Sequence, residues 1–262
     1  MMNMSILQEL RGRPPLIVCI TNDVVKDLTA NGLLAMGASP IMSGEKSEAA
    51  ALMQAADGLL INIGTADEGK KELMFEMAEA ANKNNVPLVL DPVGYPASDF
   101  RKNLVDELLE KYDVALVKGN KSEMMALAGL ESTSRGVDST ETSDALEIAE
   151  AAFERLNIPV LVTGEADALV TRTRRYTLHN GHEFQGRITG SECLLGAVIL
   201  AFTSRSEAFN TGVLDAVSYY NLCAESAASE SAGPAAFRMN FIDALHLNED
   251  TLLADKDIRN HE

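Results

Sequence analysis

Residues 58–94 read GLLINIGTADEGKKELMFEMAEAANKNNVPLVLDPVG, and this stretch contains the pattern on which the fold depends. Two apolar runs, Gly58–Ile63 and Pro87–Leu90, flank a longer segment, Lys70–Asn84, that is rich in charge and alanine. Short apolar runs with little polar alternation are typical of parallel strands buried on both faces. The segment between them is long enough for a helix and ends in residues that stop one. The stretch therefore predicts a strand, a helix and a second strand parallel to the first.

The same alternation continues in both directions along the chain. Further strands are predicted at Leu16–Ile20, Val114–Val117 and Val160–Val162, and further helices at Lys46–Ala56 and Asp144–Arg155. Strands that alternate with helices predict an α/β fold with a mostly parallel sheet. No repeat or linker divides the chain, so we expect one domain over residues 1–262.

A second pattern follows the last of these strands. Ala168–Thr171 and Arg174–His179 are separated by a polar break, which predicts a hairpin on the edge of the sheet. His179 and His182 flank Asn180-Gly181, a turn signal, so we expect both histidines at a hairpin tip and outside the chemistry. After Arg187 the chain is expected to be largely helical.

The charge balance excludes two classes of partner. The 262 residues include 39 acidic and 22 basic side chains, a formal net charge of −17 with histidine neutral. Such a surface repels nucleic-acid phosphates and anionic lipid headgroups, and no cluster of lysine or arginine offsets it. We therefore expect neither nucleic acid nor a membrane among the partners.

Cysteine usage and hydropathy predict a cytoplasmic location. Cys19, Cys193 and Cys223 are odd in number and far apart, which disfavours a disulfide framework, and their spacing does not resemble a zinc site. The first residues lack the charge order of an export signal. The longest apolar run, Cys193–Phe202, spans ten residues and is too short to cross a bilayer.

Polar side chains stand at or just after the ends of five predicted strands. They are Thr21-Asn22-Asp23, Asn62-Ile63-Gly64-Thr65, Asp91-Pro92-Val93-Gly94, Lys118-Gly119-Asn120 and Thr163-Gly164-Glu165. Ligands of open α/β sheets bind beyond the carboxyl ends of the strands. The sequence therefore predicts a small-molecule site along that edge.

The stretch Arg187–Leu195, RITGSECLL, is a polar turn that leads directly into an apolar helix. The first backbone N–H groups of such a helix favour anions, including a phosphoryl group in transfer. The alternative is an ordinary helix start, in which Ser191 is the N-cap and Gly190 permits the turn. Cys193 lies in the first helical turn, where its thiol pKa could be lowered, or it is a small core residue.

Two acidic residues are candidate magnesium ligands. Asp91 ends a strand before Pro92, and Glu123 lies in Asn120-Lys121-Ser122-Glu123, which begins another helix. Magnesium is usually held by few carboxylates, together with water and phosphate oxygens. Asp91 could equally be a turn aspartate, and Glu123 a first-turn acid that the helix dipole favours.

Several segments together resemble the hydroxyethylthiazole kinases of the ribokinase-like superfamily. The resemblance covers nearly the whole chain, and its most specific part is the ordered signature that begins at Thr21. Its segments are TNDVV (21–25), TANGLLAMGASPIM (29–42), NIGT (62–65), DPVG (91–94), KGN (118–120) with Glu123, GVD (136–138), TGE (163–165) and LHNGH (178–182). This resemblance implies a single three-layer α/β/α domain.

The resemblance also implies an activity and a set of site residues. ATP, with Mg²⁺, would phosphorylate the primary hydroxyl of 4-methyl-5-(2-hydroxyethyl)thiazole, a step of thiamine salvage. Met42 and Gly190 would contact this substrate, Lys118 and Thr163 would contact ATP, Asp91 and Glu123 would be the acids beside the metal, and Cys193 would occupy the catalytic position. A homotrimer with sites at its subunit interfaces is implied as well.

Glu192 departs from the family pattern, in which a glycine usually stands at this position. A side chain there restricts φ and brings a negative charge towards a transferring phosphoryl group. Two alternatives therefore stay open. One is a divergent paralogue that phosphorylates another small heterocyclic alcohol; the other is a catalytically weak protein that binds nucleotide or thiazole.

Overall fold

The computed structural model describes residues 5–130, 141–247 and 250–261, which contain one sheet of nine strands. The strands are β1 (Leu16–Ile20), β2 (Ser39–Ile41), β3 (Gly58–Asn62), β4 (Leu88–Asp91), β5 (Leu116–Asn120), β6 (Val160–Thr163), β7 (Asp167–Val170), β8 (Arg175–Leu178) and β9 (Ile258–His261). Their spatial order is β2-β1-β3-β4-β5-β6-β7-β8-β9. Strands β1 to β6 pair in parallel, and β7, β8 and β9 extend the sheet in antiparallel order.

Helices cover both faces of the sheet. They are α1 (Ile6–Gly12), α2 (Lys26–Met36), α3 (Ala49–Met53), α4 (Glu68–Lys83), α5 (Asp99–Lys111), α6 (Lys121–Ala128), α7 (Glu141–Leu156), α8 (Ser191–Thr203), α9 (Phe209–Ser229) and α10 (Pro234–Leu247). Helices α1, α2, α8, α9 and α10 contribute to the apolar core on one face, and α3 to α7 to the core on the other. The α/β fold with a mostly parallel sheet that the sequence pattern predicts is thus confirmed, and so is the three-layer α/β/α arrangement that the resemblance implies.

The strands supply both cores because neighbouring side chains point to opposite faces. In β3, Leu60 packs with α8 on one face, whereas Leu59 and Ile61 pack on the other face with α4. Helix α8 is buried along nearly its whole length, which explains its almost continuous apolar sequence. Because α8 lies against β1, β3 and β4, its N-terminus is held close to the sheet.

Three sequence expectations about local structure are wrong. The helix expected at Lys46–Ala56 is a 3₁₀ turn followed by α3, which is only five residues long. The hairpin of β7 and β8 exists, but β9 pairs with β8 and forms the edge of the sheet. His179 and His182 are not at its tip: the His179 N–H donates to Asp257 O, and His182 is the N-cap of the 3₁₀ segment Glu183–Arg187.

The edge strand β2 was not predicted, because it is three residues long and only partly buried. One segment of the family resemblance, residues 136–138, lies outside the described residues. No helix in the described ranges combines the length and the hydropathy that crossing a membrane requires. Cys19, Cys193 and Cys223 are buried free thiols.

Candidate functional site

Four neighbouring strands bring polar side chains together at the carboxyl edge of the sheet. Asn22 follows β1, Asn62 and Asp91 end β3 and β4, and Lys118 lies in β5. All four residues are buried, and Lys118 and Asp91 are each 1% exposed. Charged groups are seldom buried to this extent unless they are paired. The edge therefore holds a built polar cluster of the kind expected at a ligand site.

The cluster is connected by directed contacts. Asn22 Nδ2 donates to Asn62 Oδ1 at 3.2 Å, and Asn62 Nδ2 donates to Asp91 Oδ2 at 2.8 Å. The Gly64 N–H also donates to Asn62 Oδ1, which fixes the orientation of this amide. Lys118 Nζ lies 3.5 Å from the same Asp91 oxygen. The contacts thus join four strand ends, and the two asparagines, which the sequence places at the predicted edge site without a chemical role, connect the cluster.

Burial and charge act against each other at the Lys118–Asp91 pair. Burial raises the pKa of Asp91 to about 6, although the Lys118 ammonium acts to lower it. Burial by itself would lower the pKa of Lys118, but the carboxylates around it, Asp91 and Glu192 foremost, raise it above its ordinary value. At neutral pH the pair is therefore ionic.

The N-terminus of α8 faces this cluster through Gly190. Gly190 is the N-cap, with φ of +97°, and a Cβ there would lie 2.9 Å from Val25 Cβ, so only glycine fits. Ser191 is the first helical residue and not the cap that the alternative interpretation assumed. Helix geometry leaves the first N–H groups of α8 without partners within the helix. They form a potential anion site.

Glu192 lies within α8 and has helical geometry, so the φ restriction expected at this position does not arise. Its side chain is 49% exposed, and its Oε2 lies 3.7 Å from Lys118 Nζ. The carboxylate of Glu192 is thus stabilised partly by the buried ammonium of Lys118 and partly by solvent. Its bulk projects into the cleft described below.

Cys193 lies beside the asparagines. Its Sγ is 3.5 Å from Asn22 Nδ2, and the residue is 8% exposed. Burial, together with the negative charge of Asp91, raises the pKa of the thiol to about 11. The hypothesis of a lowered thiol pKa at the helix terminus is therefore wrong, because desolvation outweighs the terminus, Lys118 and the amide donors.

Glu123 has a structural task within α6. Its Oε2 accepts from the Asn120 N–H at 3.0 Å, while Asn120 caps the helix in return, which completes a capping box. Its Oε1 accepts from the Gly94 N–H at 2.8 Å and so ties α6 to the loop after β4. Both oxygens already accept backbone hydrogen bonds. Glu123 is close enough to Asp91 to contribute to the raised pKa of Asp91.

The donor set near Asp91 has the hard oxygen atoms that magnesium prefers. Among the described residues, no group of three or more acidic, histidine or cysteine side chains forms a metal cage. Asp91 and Glu123 nevertheless fit a magnesium ion that arrives with a nucleotide, because phosphate and water would supply most of its ligands. With its oxygens engaged, Glu123 is suited to contact metal-bound water.

A cleft of about 690 Å³ opens next to the cluster. One wall follows β5 and β6, with Asn120, Thr163 and Gly164, and the other includes Glu183 and Gln185. Further lining residues are Glu165, Asp167, Asn180, Gly181, His182, Gly186, Glu192, Leu195 and Asn221. Its size suits a nucleotide or a small metabolite.

The structure brings together most, but not all, of the predicted site residues. Asp91, Lys118 and Cys193 belong to the buried cluster, and Thr163 lines the cleft. Met42 does not line the cleft; it lies in the loop after the edge strand β2 and packs, partly buried, against the core on the α8 face.

Asp167 and Asn221 lie at the site without having been predicted from the sequence. Both are buried beside the cleft, and Asn221 Nδ2 donates to Asp167 Oδ2 at 2.7 Å. Asp167 had a weak signal, since it is a charged residue immediately before an apolar run. Asn221 had none, because its place in the site depends on how α9 packs.

Comparison with known proteins identifies the relatives of this chain. The model of the hydroxyethylthiazole kinase family matches residues 7–250. Hydroxyethylthiazole kinase from Staphylococcus saprophyticus is 42% identical over 246 residues, which cover 93% of this chain and 94% of that protein. Hydroxyethylthiazole kinase 1 from Streptococcus pneumoniae is also 42% identical, with 93% and 95% covered.

Solved structures agree with this result. A hydroxyethylthiazole kinase protein from Pyrococcus horikoshii superposes with a TM-score of 0.88 at 35% identity, and 98% of each chain is covered. A ribokinase-like superfamily protein from Enterococcus faecalis gives a TM-score of 0.63 at 11% identity, covering 88% of this chain and 86% of that one. The second likeness concerns the fold alone.

Proposed function

The chain belongs to the hydroxyethylthiazole kinase family, and from this premise we propose that it transfers the γ-phosphoryl group of ATP to the hydroxyl of 4-methyl-5-(2-hydroxyethyl)thiazole. The alcohol oxygen forms the new bond to phosphorus, the bond from the γ-phosphorus to the bridging oxygen breaks, and the hydroxyl proton is released. The products are the phosphate ester and ADP. In an organism this reaction would serve thiamine salvage.

The observation that carries the proposal is the buried ammonium of Lys118, held by Asp91 beside the N-terminus of α8. Phosphoryl transfer depends mainly on positioning and on neutralising the charge of the phosphoryl oxygens. A buried cation and preorganised backbone N–H groups do this without reorganising during the reaction. We assign Lys118 and Thr163 to ATP binding, with the adjoining cleft as the space for the nucleotide.

Proton removal does not need a strong base in this arrangement. The Cys193 thiol, with its pKa near 11, stays protonated at neutral pH. A loose transition state develops little acidity at the attacking hydroxyl until late, so a weak acceptor suffices. Cys193 holds the catalytic position, but it could accept the proton only through its small thiolate fraction, so the carboxylate of Glu192 is the alternative acceptor.

Magnesium would accompany ATP, with Asp91 and Glu123 as the acids on its side of the site. The ion supplies charge neutralisation at the phosphoryl oxygens. Asp91 also fixes Lys118, and Glu123 fixes the start of α6 through its capping box. These two residues therefore act on the site even before any ligand binds.

For the thiazole alcohol we assign Met42 and Gly190. The thioether of Met42 suits a sulfur-containing aromatic ring. Since Met42 lies outside the cleft, it supports a site that is completed by a second subunit, and we propose a homotrimer with shared sites. We also propose a cytoplasmic location, which three free thiols and ATP as co-substrate support.

The presence of Glu192 supports a second candidate function, that of a catalytically weak protein that binds nucleotide or thiazole. A carboxylate 3.7 Å from Lys118 competes with phosphate for the same cation. A paralogue acting on another small heterocyclic alcohol is the other alternative. Measuring ATP consumption by the pure protein, with and without the thiazole alcohol, separates the three.

The test uses this assay on the intact protein and on matched variants. Thiazole-dependent ADP release is expected from the wild type, and Lys118→Ala should lower kcat/KM at least about a hundredfold because a preorganised charge is lost. Asp57→Asn is the control. Asp57 immediately precedes β3, at the amino ends of the strands and therefore away from the site, and it pairs there with Arg205. Absence of thiazole-dependent turnover in the wild type would refute the proposed function.

A further inference from the structure

A buried chain of hydrogen bonds connects the two walls of the cleft. The Gly164 N–H donates to Asp167 Oδ1 at 3.1 Å, and Asn221 Nδ2 donates to Asp167 Oδ2 at 2.7 Å. Gln185 Nε2 donates to Asn221 Oδ1 at 3.0 Å, and the His182 N–H donates to Gln185 Oε1 at 3.0 Å. We call these five residues the cleft network.

The two ends of the cleft network determine which group donates and which accepts in each of its hydrogen bonds. Both ends are backbone N–H groups, which can only donate, and the two amides between them each pass a hydrogen bond onwards. A chain with donors at both ends needs one member that accepts from both sides. Asp167 is that member, and only a carboxylate can fill the position.

An amide in place of Asp167 would leave a mismatch that no rotation removes. Its NH₂ group would face Asn221, and turning Asn221 and then Gln185 would only move the conflict to the His182 N–H. Without these rotations two donors would meet where both residues are buried, since Asp167 and Asn221 are each 4% exposed; with them, the hydrogen bond from the His182 N–H to Gln185 would be lost. A buried donor without an acceptor is costly, so the walls would move apart or twist.

We propose that Asp167 is a positioning residue for ATP: through the cleft network it holds the Thr163-Gly164 turn and the opposite wall, residues 182–185, at the separation that the nucleotide needs. This inference rests on the proposed function. Glu225 supports the same wall from α9, because its Oε1 accepts from the Gly181 N–H at 2.8 Å. The network itself touches no reacting atom, so its effect should fall on nucleotide affinity.

An exchange of the two side chains provides the decisive variant. In Asp167→Asn/Asn221→Asp, the amide at position 167 accepts from Gly164 and donates to the carboxylate at position 221. That carboxylate also accepts from Gln185. Every hydrogen bond of the cleft network is therefore kept, whereas Asp167→Asn alone must lose one.

The experiment measures binding of β,γ-methylene-ATP with Mg²⁺ by calorimetry, and steady-state kinetics alongside it. Asp167→Asn is expected to raise the Kd and the KM for ATP by about tenfold, the equivalent of one lost buried hydrogen bond. Its kcat should change by less than about threefold, because no contact to the transferring group is altered. The double variant should return the Kd to within about threefold of the wild type.

Asp57→Asn is the matched control for a general loss of stability. Asp57 likewise accepts from a backbone N–H, that of Leu16, and from a side chain, but far from the cleft. It should not change the Kd. An unchanged Kd in Asp167→Asn, or a double variant no better than the single one, would overturn the inference. If Asp167→Asn does not fold, the double variant decides alone: near-normal binding supports the inference, and weak binding or misfolding overturns it.

The calorimetric titration with the ATP analogue contains no thiazole alcohol. Loss of the proposed function would appear as absent thiazole-dependent turnover in the wild type. Failure of the inference would appear as a missing difference in nucleotide affinity between the variants. The two results are thus read from separate measurements.

Discussion

Lys118 Nζ lies between two carboxylates, 3.5 Å from Asp91 and 3.7 Å from Glu192. The two partners differ in their surroundings, because Asp91 is buried and Glu192 is half exposed. Asp91 therefore holds the cation in place permanently, whereas Glu192 can turn away into solvent. If Lys118 binds ATP as proposed, an incoming phosphate would replace Glu192 and leave Asp91 where it is.

Replacing Glu192 by glycine is expected to raise kcat for the thiazole alcohol. The change removes bulk and a negative charge from the path of the phosphoryl group, and each 1.4 kcal/mol of barrier removed is worth about tenfold in rate. Glu192→Gln keeps the bulk and removes the charge, so the pair of variants separates the two effects. Steady-state kinetics at saturating ATP and Mg²⁺ gives the answer. A lower kcat in both would identify the carboxylate as a base or a metal ligand.

Cys193→Ser is expected to keep measurable turnover, since a thiol with its pKa near 11 stays protonated at neutral pH and so contributes little as a base. For the same reason the native protein should react slowly with iodoacetamide at pH 8, because the thiolate is the reactive form. Mass spectrometry of the alkylated protein gives the rate at each cysteine, with Cys223→Ser as a control variant. Fast labelling of Cys193, or complete loss of turnover in Cys193→Ser with nucleotide binding intact, would contradict the assignment.

Glu123→Ala is expected to lower both stability and magnesium-dependent activity. Two backbone N–H groups lose their acceptor, which should cost about 2 kcal/mol of unfolding free energy in urea titrations. Glu68→Ala is the matched control, because Glu68 is an exposed acid in the first turn of α4. Asp91→Ala should abolish magnesium-dependent activity as well. Full activity of either site variant at low Mg²⁺ would exclude its role beside the metal.

The proposed homotrimer predicts a particle three times the mass of the 28.2 kDa chain. Gly32, a small residue of α2, is buried within the chain against Leu194 of α8 and so does not mark a subunit contact, whereas the Met42 loop lies away from the cleft. Light scattering at micromolar concentration tests the assembly. A monomer alone would exclude both the trimer and the shared sites.

The sequence predicts the layers of this fold well, because buried parallel strands need continuous apolar runs and the helices between them need length. It does not predict β2 or β9, since both are short and hold few buried residues. Each of them is held by pairing with a strand from another part of the sequence, so no local pattern indicates it. Strand ends were the informative positions for the site: Asp91, Lys118 and Thr163 all follow from them.

The properties of the site residues could not be predicted in the same way. The helix terminus suggested a reactive Cys193, yet burial and the nearby Asp91 charge dominate its pKa. Glu123 was expected as a metal-side acid, and the structure adds a hydrogen bond that its Oε1 accepts from the Gly94 N–H in the loop after β4. Both outcomes depend on contacts between segments distant in sequence.

Asp167 is expected to make the stability of the protein depend on pH. Burial, with a further contribution from Glu192, raises the pKa of Asp167 from 3.8 to about 7, while Asn221, the Gly164 N–H and Lys118 act to lower it. The folded protein thus binds this proton more tightly than the unfolded chain. Protonation of Asp167 therefore adds up to about 4 kcal/mol to the free energy of unfolding. This contribution is complete below pH 4 and is lost as pH rises through 7.

The affinity for nucleotide should depend on pH in the opposite sense to the stability of the fold. A protonated Asp167 can no longer accept from both Gly164 and Asn221, so affinity for the ATP analogue should fall as pH decreases through 7 while stability rises. Urea titrations between pH 5 and 8, compared between wild type and Asp167→Asn, isolate the contribution of Asp167, and Asp57→Asn should keep the wild-type slope. A wild-type slope in Asp167→Asn would mean that this carboxyl does not titrate in the folded protein near neutrality. The network would then impose no cost in stability at the pH at which it holds the cleft.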